Sequence, residues 1–271
     1  MQKLKNAIVN QDALAASLIV ASRLGENLSE DTYLSEVDTL TNIVKDSLTD
    51  TPSNEARFRQ IVSIFYKKLA FSGDERNFFA SKYSLLNEVI DYRTGIPVTL
   101  SILFCHIATK LGLEVYGVNF PGHFLVRFQA SKERALFLDP LNGTILNWQE
   151  LEALYFSIIG ELDEEEMPEE ALYAAKTEEI VIRLLQNLKA AFIKEEKYSQ
   201  ALATVEMLVA FNPDDPYERK DRGYLLHQME CPQLALQDYQ YFIKQCPQDP
   251  SAQLLKLQLR RFKSAQSPTL H

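Results

Sequence analysis

At 271 residues, 46% apolar and 24% charged, the chain has room for two domains of ordinary size and a sizeable core. Its formal charge of −9 and isoelectric point near 5.1 give the surface the wrong sign for a phosphate backbone, so no nucleic-acid partner is expected. No apolar run approaches the roughly 20 residues of a membrane span.

At the N-terminus, Asn10, Gln11 and Asp12 interrupt the chain before any long apolar region, which makes a poor secretory signal and implies a cytoplasmic protein. From Asp12 to Leu24 and from Tyr33 to Leu48 apolar residues recur at helical spacing, and Phe58, Ile61, Val62, Phe65 and Leu69 form the stripe of a third helix. A short helix through Leu85, Leu86, Val89 and Ile90 is closed by Arg93, Thr94 and Gly95. The next helix has Pro97 just inside its start and ends at Lys110-Leu111-Gly112, the order expected of helix ends. Thr99, Ser101 and His106 break up its apolar run.

Val115 to Asn119, His123 to Gln129 and Ala135 to Leu138 are too short for helices and rich in Val, Leu and Phe, so they read as strands. The last two are expected to form an antiparallel hairpin in which Phe128 faces Ala135, which would set Asp139 opposite Phe124 and beside His123. Leu146 to Phe156 reads as a helix closing a first domain at about residue 160. Residues 161–175 open with seven acids within ten positions and read as a solvated linker rather than an acidic binding tail.

Residues 176–271 repeat. A shift of 34 places Ala201-Leu202 on Ala235-Leu236, Pro213 on Pro247 and Asp215-Pro216 on Asp249-Pro250. That is the period of tetratricopeptide helix pairs. Helices are expected at about Glu179 to Glu195, Tyr198 to Phe211, Tyr217 to Gln228 and Gln233 to Gln245. Gly223 allows close packing, and a capping helix from Ser251 to Ser264 carries Leu254, Leu257 and Phe262.

Cys105, Cys231 and Cys246 are odd in number and lack C-x-x-C spacing, which speaks against disulfides and a cysteine metal site. No metal or other cofactor is expected. His227 and His271 read as surface groups. His123 and Asp139 have two readings: a base with its orienting carboxylate, or a structural histidine beside a turn built from Asp139, Pro140, Asn142 and Gly143.

The motifs YSLLNEVIDYRTGIPVTLS, PGHFLVRF and LFLDPLNG, followed by tetratricopeptide repeats, closely resemble the bacterial family named after the invasion-gene regulator SirB, first protein of that pair. The resemblance implies an α+β transglutaminase-like domain, with a helical N-terminus and a small antiparallel sheet, followed by an all-α repeat domain. Transglutaminase-like proteins have a catalytic Cys at the start of the helix that ends in Leu-Gly, then a His and an Asp on the following strands. The histidine falls on His123 and the aspartate on Asp139.

The cysteine position falls near Pro97 and Val98, and neither is a nucleophile. Cys105 lies about eight residues further on, roughly 12 Å down the helix from the end that favours a thiolate. It reads as a buried core thiol, with His106 a step round the helix from it. Thr99 and Ser101 are the hydroxyls near that helix start. The expectation is therefore a non-catalytic regulator or adaptor, not an enzyme. It would bind a protein or peptide partner through the repeats or through a cleft near Asn119, His123, Asp139 and Asn142. The competing reading is an amide hydrolase or acyltransferase that uses His123 and Asp139 with a non-standard nucleophile.

Overall fold

The structure is a computed structural model that describes residues 1–25, 28–50, 53–74, 79–160 and 166–266. Its contacts divide the chain into two units, Met1–Leu188 and Lys189–His271.

The first unit opens with six helices: α1 (Gln2–Val9), α2 (Ala13–Leu24), α3 (Glu30–Ser47), α4 (Asn54–Ser63), α5 (Leu86–Tyr92) and α6 (Pro97–Lys110). The starts of α2, α3 and α4 are written in short polar residues. Asp12, Ser29 and Ser53 each accept a backbone N–H three residues on, which satisfies a donor the helix itself cannot. Helix α1 was not expected; it has too few residues for a clear period, yet Leu4 is wholly buried.

Two sheets follow. β1 (Ser72–Gly73) and β2 (Thr94–Gly95) make a short parallel ladder. β3 (Val115–Val118), β4 (Leu125–Ser131), β5 (Arg134–Asp139) and β6 (Thr144–Leu146) form an antiparallel meander in sequence order. Helix α7 (Trp148–Ile159) then closes this region.

The meander is buried on both faces, and alternation along β4 shows how. Phe128 points to the helices, stacking on Phe58 at 4.5 Å, while Phe58 also meets the edge of Phe104 on α6 at 5.7 Å. Leu125, on the other face, joins Val118, Phe120, Phe137, Leu151 and Tyr155 in a second cluster.

Three expectations change here. The β4–β5 register is one residue off, with Phe128 opposite Leu136 and Val126 opposite Leu138, so extending the ladder puts Asp139 across from Leu125. His123 is not on a strand but in the turn before β4. A fourth strand, β6, occupies the start of the expected closing helix. That helix begins at Trp148 because Asn147 and Glu150 form a reciprocal capping box, with N···O distances of 3.0 and 2.8 Å.

Of the acidic stretch, residues 161–165 lie outside the described residues. Beyond them Met167 and Leu172 are buried in the second cluster of the first unit, and Ala175 N–H donates to the Gly117 carbonyl at 2.8 Å. Two apolar side chains in a charged segment are enough to dock it, because each covers sheet surface that would otherwise meet water.

Helix α8 (Thr177–Lys194) runs across the division between the units. It is followed by α9 (Tyr198–Phe211), α10 (Pro216–Gln228), α11 (Pro232–Gln245) and α12 (Pro250–Gln266). Gly223 is where α10 approaches α11; a Cβ there would sit 2.9 Å from the Tyr239 ring. Next to it, Arg222 grips Asp238 with two contacts of 2.7 Å, and Asp238 is only 3% exposed. His227 packs its ring near Tyr239, while His271 and the side chain of Phe262 lie outside what is described.

Phe58→Ala is expected to cost about 3–5 kcal/mol, because it empties a site with aromatic partners on two sides. Asp238→Ala is expected to cost roughly 2–3 kcal/mol, since it strands a partly exposed guanidinium. Urea denaturation followed by intrinsic fluorescence and circular dichroism checks both.

Candidate functional site

A nucleophile of the transglutaminase-like type would sit at the start of α6. Pro97, Val98 and Thr99 are there, and all three are buried. Pro97 lacks the N–H that a helix start leaves unmatched. Thr99 satisfies the residue before the helix: its Oγ1 accepts the Ile96 N–H at 3.1 Å, and its hydroxyl faces the carbonyls of Tyr83 and Ile96 at 3.0 and 2.9 Å. A hydroxyl engaged in this way has no proton to give a base. Ser101 is also buried, and its Oγ makes no hydrogen bond at all, so none joins it to an imidazole.

Cys105 departs from the expected core thiol. It is half-buried, in the wall of a cleft that His106 also lines, although the two are successive residues on the helix. Enclosure of the sulfur pushes its thiol up to about 12, with no cation opposing the shift. A thiolate nucleophile needs the reverse environment.

His123 is delivered by a turn. The sequence Phe120-Pro121-Gly122-His123 closes with a His123 N–H to Phe120 carbonyl bond of 3.1 Å, and Gly122 has φ +63°. Proline then glycine at the two central positions is the pattern of a type II turn. A side chain on Gly122 would also strike Ile158 at 2.5 Å.

The Asp139 carboxylate comes from the end of β5. Its Oδ1 accepts the Leu141 N–H at 2.9 Å, and its carbonyl accepts the Gly143 N–H at 2.9 Å. The same Oδ1 lies 3.2 Å from His123 Nε2, and both side chains are more than four-fifths buried. The approach is too poorly aligned for a hydrogen bond, and Nε2 has no other partner. Asp139 therefore belongs both to its turn and to the imidazole's surroundings.

Tyr66 is the residue that sequence reasoning missed. The end of α4 widens into a π-helical turn, Ile64–Lys68, and this carries Tyr66 onto the Asp139 loop, where its hydroxyl donates to the Pro140 carbonyl at 2.8 Å. Gly143, with φ +78°, lies flat against the ring, where a Cβ would come within 2.6 Å. Burial, then the Asp139 charge, holds the phenol well above its usual range. Within a stripe of apolar helical residues, one tyrosine gives no sequence signal, and π turns have no simple one.

The other expected cleft residues are tied locally. Asn119 accepts from Arg183 at 3.4 Å and Asn142 accepts the Thr144 N–H at 2.9 Å. Asn142, Tyr66 and Gly143 line a shallow depression of about 270 Å³ that contains neither His123 nor Asp139. Among the described residues no group of three His, Cys, Asp or Glu is gathered as a metal would require, and no helix is long and apolar enough to cross a membrane.

A family model described as the transglutaminase-like superfamily matches residues 31–186, and one described as tetratricopeptide repeat matches residues 188–260. Among curated proteins, Protein SirB1 of Salmonella typhimurium is 28% identical over 263 residues, 96% of each chain. A UPF0162 protein of Vibrio cholerae is 37% identical over 225 residues, 83% of each chain. The chain belongs to the SirB1 family of transglutaminase-like proteins.

Another relative in this family, a UPF0162 protein of Pasteurella multocida, is 36% identical over 233 residues, 86% of this chain and 87% of its own. As in the family models, the two parts meet at residues 186–189, where the contacts also divide the chain. A crystal structure of menin covers 89% of this chain and 68% of its own at 10% identity, with a TM-score of 0.39, too low to argue from.

Iodoacetamide labelling of Cys105 in the native SirB1-family chain is expected to be slow near neutral pH. The reactive species is the thiolate, and raising the thiol from its ordinary 9.0 to about 12 lowers the thiolate fraction roughly a thousandfold. The rate should climb only as pH rises toward about 12. Peptide mass spectrometry, with Cys231 and Cys246 as internal references, reads this directly.

Proposed function

We propose that this chain is a cytoplasmic, non-catalytic regulator or adaptor, which binds a protein or peptide partner chiefly through its repeats. Tetratricopeptide repeats commonly mediate protein–protein interaction, and the named relative SirB1 belongs to the same family. The observation that carries the non-catalytic part is the start of α6, where Pro97, Val98 and a fully engaged Thr99 occupy the place of a nucleophile. Fold membership alone does not supply chemistry.

The repeat unit presents large apolar side chains at its surface. Leu254 and Leu257, three residues apart on α12, are 63% and 56% exposed. Tyr217 and Tyr224, seven apart on α10, are 50% and 40% exposed. Such rows anchor an extended or helical segment of a partner.

A second reading, an amide hydrolase or acyltransferase, is favoured by one observation: His123 and Asp139 are held 3.2 Å apart. What it lacks is a nucleophile hydrogen-bonded to that imidazole.

Affinity capture with the full chain, followed by titration of the recovered partner, tests the first reading. Leu254→Glu with Leu257→Glu is expected to weaken binding at least tenfold, while His123→Ala leaves it unchanged. Rapid labelling of Cys105 near neutral pH that disappears in His123→Ala would establish an activated thiol and overturn the non-catalytic reading.

A further inference from the structure

A cleft of the first unit has a volume of about 620 Å³ and is lined by neither His123 nor Asp139. Leu14, Ile102, Val115, Phe124 and Ile180 give it apolar walls. Two adjoining rows of α6 run along it, Ser101, Cys105 and Thr109 in one and His106 and Lys110 in the other, each at the four-residue spacing of neighbours on a helix face.

Ser101 is the telling residue of that face. It is 1% exposed, it lies in the cleft wall, and its Oγ has no hydrogen-bond partner. Serines inside helices ordinarily return the hydroxyl to a carbonyl on the previous turn, as Ser17 does to Ala13 at 2.7 Å and Thr204 to Gln200 at 2.8 Å. A buried hydroxyl without a partner is destabilised relative to a bonded one, and a group that reaches it from the cleft relieves this.

The charges of the lining oppose each other, with Asp12 set against Lys110, and burial keeps His106 below its ordinary range and hence neutral near pH 7. An uncharged occupant is matched better than an anion or a cation. The volume falls within the ~300–1,000 Å³ of small-molecule sites, and apolar walls with few polar groups are their usual lining.

We propose that this cleft is a ligand site for a small neutral amphipathic molecule, with an apolar body against Phe124 and Ile102 and one carbonyl oxygen accepting a hydrogen bond from Ser101 Oγ. The lining belongs wholly to the first unit and includes neither His123 nor Asp139, so the proposal holds whether or not the chain has a catalytic role.

Prodan, a neutral naphthalene bearing one ketone, has this chemistry and reports its surroundings by fluorescence. With the full chain it should give saturable, blue-shifted emission at one site and slow the alkylation of Cys105, with Cys231 and Cys246 unaffected. Thr109 is exposed at the cleft, so Thr109→Trp blocks it without touching the core and should abolish the signal. Ser101→Ala should weaken binding roughly three- to tenfold, the loss of one hydrogen bond. Emission that persists in Thr109→Trp, or alkylation of Cys105 indifferent to prodan, overturns the site. Full affinity in Ser101→Ala overturns the assignment of the hydroxyl and with it the proposal as stated.

Discussion

Burial of α6 along most of its length is the constraint on which the first unit depends. Val98, Leu100, Leu103, Phe104, Ile107 and Ala108 are wholly buried, so neighbouring helices and the sheet pack on several sides of it. A helix in that position cannot leave its first N–H groups to water, and the structure answers with Pro97 and with the buried hydroxyl of Thr99. The same packing closes this helix end to solvent. The packing of the fold and the burial of Pro97, Val98 and Thr99 are thus two consequences of one arrangement.

The hairpin beside it keeps its geometry for reasons that need no chemistry. A proline-glycine turn sets His123, and a turn closed by the Asp139 carboxylate sets Asp139. Tyr66 holds the second turn from outside through the Pro140 carbonyl. The oxygen nearest His123 already accepts the Leu141 N–H, so the backbone of the turn fixes its position. Local turn energetics would keep the pair together with or without a reaction.

The second unit works by different means. Its helices meet through small contact residues and charge-assisted pairs: Gly223 under Tyr239, Arg222 on Asp238, and Lys189 between Glu218 and Asp221 at 2.9 and 2.7 Å. Buried pairs of this kind contribute little net stability over apolar substitutes, but they strongly disfavour any helix register that parts them. Tyr217 of α10 joins this packing through the Phe242 ring and the Asp249 carboxylate, whereas Leu254 and Leu257 of α12 stay largely exposed.

The 34-residue period, Pro97 just inside its helix start, the Lys110-Leu111-Gly112 stop and most of the order of helices, strands and repeats were legible in the sequence, because helix ends, turns and hydrophobic periods are local. That Pro97 and Val98, and no cysteine, stand at the start of α6 was legible too. The one-residue register, the short strand β6, and the docking of Met167 and Leu172 were not, since each follows from surfaces supplied by distant segments. Likewise no local pattern announces that a π turn aims Tyr66 at the Asp139 loop, or that Ser101 and Cys105 face a cleft instead of the core. The sequence by itself determined which elements form and that no thiol stands at the start of α6. Tertiary packing alone decided which side chains share a wall, because burial and hydrogen-bond satisfaction are properties of assembled surfaces and not of spacing along the chain.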